Sequence, residues 1–127
     1  MKAIWLIDHG SMKVEANEML GCVRGLIQEM AGTDVLVGYA HMELAEPTIE
    51  QGLAECVKRG ATEIVAFPYM LSPGKHSTRD IPRLVAEAAA KFPGVTYTVT
   101  PAFGVHEKLG EVVLERAGVA SAAIAKR

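Results

Sequence analysis

An α/β domain is expected here: a single four-stranded parallel sheet with helices on both faces. Three observations predict it. Short β-rich runs alternate with stretches of helical period, in the order βαβαβαβα, which argues for a parallel sheet. The first run, Ala3–Ile7, is apolar at every position, as in a strand buried on both faces. The chain of 127 residues is 50% hydrophobic and 22% charged, a globular composition long enough for one domain and too short for two ordinary ones.

Each element follows in turn. After the strand 3–7, Asp8-His9-Gly10-Ser11 breaks the run. From Val14 to Met30 the apolar residues Ala16, Met19, Leu20, Val23, Leu26, Ile27 and Met30 fall at helical spacing, and Gly32 is a stop. Residues 34–42 read as a second strand. Glu46-Pro47 is expected to open a helix with Pro in its first turn, carrying the stripe Ile49, Leu53, Cys56 and Val57 and ending at Gly60. Residues 62–67 form a third strand, ended by Pro68. A long loop, 68–77, follows, and Thr78 or Asp80 is expected to cap the helix marked by Ile81, Leu84, Val85, Ala88 and Phe92. Val95, Tyr97 and Val99 alternate as a fourth strand. Leu109, Val112, Val113 and Ala117 mark a last helix, which the Ala-rich tail 119–127 either extends or leaves frayed.

Composition excludes several function classes. A net charge of −2, with no Lys/Arg run beyond two residues, argues against a nucleic-acid partner and against a membrane-binding patch. No signal peptide or membrane span is expected, so the reading is cytoplasmic. Cys22 and Cys56 form no CxxC and read as two reduced core thiols. The patterns GxGxxG, GxxxxGK[ST], GxSxG and HExxH are all absent, which disfavours dinucleotides, ATP, α/β-hydrolase chemistry and zinc proteolysis.

Ligands of open α/β sheets bind beyond the carboxyl ends of the strands. All four histidines, His9, His41, His76 and His106, fall in or beside those segments. Imidazole ligates divalent metals and exchanges protons near neutral pH. Gly10 permits either a plain tight turn or close approach of a ligand. Glu46 reads as a favourable charge at a helix start. Glu43 reads either as a partner of a metal-binding His or as a metal-side carboxylate. Ser11 and Lys13 before the first helix, and Lys75, His76, Ser77 and Arg79 before the third, form two cation-rich helix starts suited to an anionic substrate. A solvated basic loop is the alternative for the second.

The motifs occur in a distinctive order: IDHGS at 7–11, ANE at 16–18, MELAEPTIEQGL at 42–53, GATEIVAFPYMLSPGKHSTRDIP at 60–82 and PAFGVHEKLGEVVLERAG at 101–118. Together they resemble the short, single-domain sirohydrochlorin chelatases of the CbiX type, over essentially residues 3–118. The resemblance implies a flavodoxin-like half-unit of the class II chelatase fold. It also implies ATP-independent insertion of a divalent metal (Co²⁺ or Fe²⁺, or Ni²⁺ as in some archaeal members) into sirohydrochlorin, feeding cobalamin- or sirohaem-type synthesis, with no permanently bound cofactor. His9 and His76 match the family's functional histidines, as metal ligands and proton acceptors, and Glu43 its ELAEP glutamate. Asp8 stands where a small residue is common, and can orient His9. Met12 stands where Arg or Lys is common, which removes one contact to a substrate carboxylate. Ser11, Lys13, Lys75, Ser77, Arg79 and the helix starts would meet those carboxylates, with Gly10 in the same loop. Met12, Met70 and Leu71 would lie against the ring, with core packing the alternative for Leu71.

Two rival readings exist. A tetrapyrrole or metal carrier on the same fold would bind without accelerating metallation. A flavodoxin-like electron carrier would need a phosphate-binding first loop, which DHGSMK is not, and flanking aromatics, for which Trp5 and Tyr69 are poor choices. Larger class II chelatases resemble two such units facing across a cleft. A one-unit chain is therefore expected to form a homodimer with twofold symmetry.

Overall fold

The computed structural model describes residues 1–122, and His76 and Ser77 by their backbone alone. Its elements are β1 (Lys2–Asp8), α1 (Val14–Ala31), β2 (Val35–His41), α2 (Ile49–Lys58), β3 (Glu63–Pro68), α3 (Ile81–Ala89), β4 (Thr96–Val99) and α4 (Glu107–Ala117), with a π-helical turn, His76–Asp80, running into α3. The four strands are all parallel, in the order β2-β1-β3-β4. The order reverses direction between β1 and β3, and such a switch point opens a crevice at the carboxyl edge.

β1 is central, so both its faces are covered. Ala3, Trp5 and Ile7 point into one core with Leu53, Cys56, Ile81 and Val85 of α2 and α3. Leu6 points the other way, against Leu20 of α1 and Val37 of β2. This two-sided burial is why residues 3–7 show no alternation, and each large side chain contributes roughly 1.5–3 kcal/mol relative to exposure. Helix α2 lies close to the sheet because Gly52 is bare: a Cβ there would come 2.8 Å from both Trp5 Nε1 and the Tyr39 carbonyl oxygen.

The free edge of β2 is blocked by α1. Gln28 donates from Nε2 to the Val35 oxygen at 2.8 Å and accepts from Val37 N at 2.9 Å, as a neighbouring strand would. Arg24 adds a bond to the Val37 oxygen at 3.4 Å.

Several local expectations change. Helix α2 starts at Ile49, after Pro47, because Thr48 and Gln51 form a reciprocal capping box. Pro68 belongs to β3, opposite Ile7, instead of ending the strand before it. Neither Thr78 nor Asp80 caps α3 through its side chain: Thr78 Oγ1 donates to the Gly74 oxygen, and Asp80 has helical backbone angles, since the π-helical turn leads straight into α3. Helix α4 has no buried residue, and Val112 and Val113 are exposed, so its stripe is not core. It stops at Gly118, whose left-handed φ of 72° ends the helix; residues 119–122 do not extend it, and 123–127 lie outside the described residues. Cys56 is buried as expected, whereas Cys22 is exposed on α1. No helix of the described residues is long and apolar enough to cross a membrane.

Candidate functional site

The carboxyl ends of β1 and β2 run on as a pair of joined loops. Met42 N donates to the Asp8 oxygen at 2.9 Å and Glu43 N to the His9 oxygen at 3.3 Å, so the ladder outlasts the strands by two residues. This brings two exposed side chains together, with His9 Nδ1 3.8 Å from Glu43 Oε1. Gly10 makes the joint possible. Its φ is +92°, and a Cβ would fall onto the Glu43 carbonyl oxygen.

Directly beneath, Asp8 and His41 stand opposite each other in the β1–β2 register. His41 is 1% exposed, and its Nδ1 lies 2.6 Å from Asp8 Oδ1. Its ring meets Tyr39 edge-on with centroids 5.8 Å apart. Asp8 therefore serves His41, not His9 as expected, because residues in register on neighbouring strands point to the same face. The pair is a structural foundation for the loop joint above it.

The first loop is folded back on α1. Asn17 Nδ2 donates to the Ser11 oxygen at 2.7 Å, while Ser11 N donates to Asn17 Oδ1 at 3.0 Å. Ser11 Oγ accepts from Lys13 N at 3.0 Å, and Lys13 occupies the cap position of α1 with no side-chain cap. The orphan N–H groups of α1 thus open on the carboxyl edge, with exposed Lys13 at the cap position.

The third loop is tied to β1 by Tyr69 N to the Ile7 oxygen at 2.7 Å, and the fourth to the third by Phe103 N to Met70 O at 3.0 Å and Gly104 N to Leu71 O at 2.8 Å. Phe67, Tyr69 and Phe103 stack edge to face there, with both rings 4.9 Å from that of Phe103. Met70 is half-buried against the core, whereas Leu71 is 72% exposed, the reverse of the core packing weighed for Leu71. Lys75 and Arg79 are exposed, and Arg79 Nε bonds Asp80 Oδ1 at 3.1 Å. His76 opens the π-helical turn one strand away from His9; the side chains of His76 and Ser77 lie outside the described residues.

The four histidines therefore divide. His9 and the backbone of His76 flank the switch point between β1 and β3. His41 is spoken for by Asp8, and His106 caps α4 by accepting from Lys108 N at 3.1 Å. Glu46 lies ahead of the cap and accepts from Gln51 Nε2 at 3.1 Å. Among the described residues, no group of three His, Cys, Asp or Glu side chains is placed to hold a metal ion.

Sequence reasoning missed the Asp8–His41 pair, which depends on the register of β1 against β2 and carries no sequence signal of its own. It also missed Leu44, a non-glycine residue at φ 72°, which no sequence pattern marks.

The CbiX family matches residues 3–120. The chain belongs to the CbiX family. It is 42% identical over 113 residues, 89% of its length, to the chloroplastic sirohydrochlorin ferrochelatase of Arabidopsis thaliana, of which it covers 50%. Its fold matches that of the sirohydrochlorin chelatase SirB from Bacillus subtilis subspecies spizizenii, solved in complex with cobalt. The TM-score is 0.83 at 30% identity, over 92% of this chain and 50% of that one. The CbiX protein of Marinobacter aquaeolei VT8 shares the fold at full length, with a TM-score of 0.75 at 24% identity, covering 93% of this chain and 95% of that one. This CbiX chain thus spans about half the length of the Arabidopsis and Bacillus relatives it matches.

Proposed function

We propose that this CbiX chain inserts a divalent metal, Co²⁺ or Fe²⁺ with Ni²⁺ as a further candidate, into sirohydrochlorin without ATP. The observation that carries the reading is the loop joint that sets His9 against Glu43 on the exposed carboxyl edge, at the switch point. The named activities of the Arabidopsis and Bacillus relatives support it.

Metallation has two requirements. A hydrated ion must exchange waters for ligands, and two pyrrole N–H protons must leave the macrocycle. In the proposed mechanism, His9 and His76 take the incoming ion as neutral imidazoles, a ligand type that suits cobalt, iron and nickel alike. His9, freed of the ion once it enters the ring, accepts a macrocycle proton, and Glu43 3.8 Å away passes it to solvent. Metal is a substrate here, held transiently, which suits a site of few ligands open to water. Ser11, Lys13, Lys75, Ser77 and Arg79 receive the substrate carboxylates, with Gly10 and Met70 in the same loops. The exposed edge needs a second wall, which a twofold partner chain would supply. Two free cysteines suit a reducing compartment such as the cytoplasm.

The experiment is the absorbance change of sirohydrochlorin on adding Co²⁺ or Fe²⁺ anaerobically, with and without the protein. A protein-dependent rate is expected. Stoichiometric binding with no acceleration would mean a carrier instead.

A further inference from the structure

A cavity of about 520 Å³ lies away from the His9–Glu43 joint, between α1, the outer edge of β2 and α2. That volume is in the range of small-molecule sites, roughly 300–1,000 Å³. Neither His9 nor Glu43 lines it. Its wall carries Arg24 of α1 and Arg59, the residue that follows α2.

Three kinds of donor stand unpaired around it. The first is the pair of guanidiniums. Arg24 is half-buried and bonds only the Val37 oxygen, at 3.4 Å. Among the described residues neither Arg24 nor Arg59 forms an ion pair. A half-buried cation held by one long bond to a carbonyl is under-paired. The second is a gap in the edge of β2. The backbone groups of Val35 and Val37 are taken by Gln28 and Arg24, and His41 N donates to the Pro47 oxygen at 2.9 Å. Tyr39 is the outward residue between them in the same alternation, and neither α1 nor the Pro47 return meets its N–H. The third is the indole of Trp5, which is 0% exposed with no partner for Nε1. It lies behind the cavity wall, since a Cβ on Gly52 of that wall would come 2.8 Å from Nε1. An orphaned buried donor calls for an explanation.

We propose that this cavity is a binding site for a small molecule with a carboxylate or phosphate head, held by Arg24 and Arg59 against the Tyr39 N–H. Glu55 also lines the cavity, so two guanidiniums stand against one carboxylate and the lining sums to +1. Glu55 pairs with neither arginine, and Glu46, outside the lining, is bonded to Gln51 Nε2. Planar guanidiniums match oxyanions with paired, charge-assisted hydrogen bonds. A cation would be repelled by both arginines, and a purely apolar body would leave them and the Tyr39 N–H without partners.

The test reads the site locally. Trp5 is the only tryptophan, so its indole N–H gives one NMR cross-peak. Isotope-labelled protein is titrated with inorganic phosphate and, separately, with succinate, at constant ionic strength. The Trp5 indole and Tyr39 amide signals are expected to shift along a saturable curve with at least one of the two, and the tighter one identifies the head group. Arg24→Gln and Arg59→Gln should each weaken that binding by about tenfold or more. Lys91→Gln, an exposed cation paired with Glu50, should bind as wild type. If Arg24→Gln melts early, exposed Arg59→Gln carries the same test. Shifts that only grow in proportion to either anion would overturn the proposal, as would saturable curves that a folded Arg59→Gln leaves unchanged.

Discussion

At Gly10 the chain passes so near the Glu43 carbonyl that any side chain would part the two loops. Gly10→Ala therefore combines a positive-φ penalty with a backbone clash and should cost about 2 kcal/mol or more, read by urea unfolding. His41→Leu should cost about 1–3 kcal/mol in the same measurement, because it strands a half-buried Asp8 carboxylate without its partner at 2.6 Å. The two cysteines make a pH prediction. Burial pushes the Cys56 thiol up from 9.0 to about 11. Between those values the folded protein keeps a proton that the unfolded chain loses, so stability should fall as pH rises from about 9 to 11. Replacing Cys56 by Ala should flatten that slope in chemical denaturation. In native protein at pH 8, a thiol reagent should modify exposed Cys22 quickly and Cys56 only on unfolding.

At the scale of elements, α1 has two tasks: its Leu20 face covers the sheet, and its Gln28 amide occupies the edge of β2. Gln28→Ala should expose two strand groups, cost about 1 kcal/mol, and favour self-association detectable by light scattering. Elements whose burial follows directly from their period were legible in the sequence. The unbroken apolar run of β1 and the stripe Ile81, Val85 and Ala88 of α3 are the clearest cases. Boundaries set by competing local bonds were not. The Thr48–Gln51 capping box outweighs Pro47 as a start for α2, and the π-helical turn removes the need for a cap on α3. For α4 the periodic stripe marks the helix, yet Val112 and Val113 remain exposed, because period reports amphipathicity and not the partner that covers it. In the site, the placing of the histidines at the strand ends was legible from the alternation alone. That Asp8 turns to His41 was not, because side-chain direction depends on a strand register that a single sequence does not display.

At the scale of the molecule, the 2-1-3-4 strand order puts a switch point between β1 and β3; His9, set against Glu43, follows β1, and the His76 turn lies in the connection after β3. The Arabidopsis and Bacillus relatives are about twice as long, which accords with the proposal that two copies of this chain close over one substrate. Sedimentation should then show a dimer, and a strictly monomeric, fully active protein would exclude the shared-cleft arrangement. In the proposed mechanism everything turns on His9 as the group that performs metal insertion. The most direct measurement is the initial rate of Co²⁺ insertion into sirohydrochlorin by wild-type protein and by His9→Ala, under anaerobic conditions, with circular dichroism to establish that both are folded. The His9→Ala rate should fall by about 10²-fold or more, the range expected for a group that moves protons, with binding of metal-free sirohydrochlorin retained. A folded His9→Ala that metallates at the wild-type rate would contradict it.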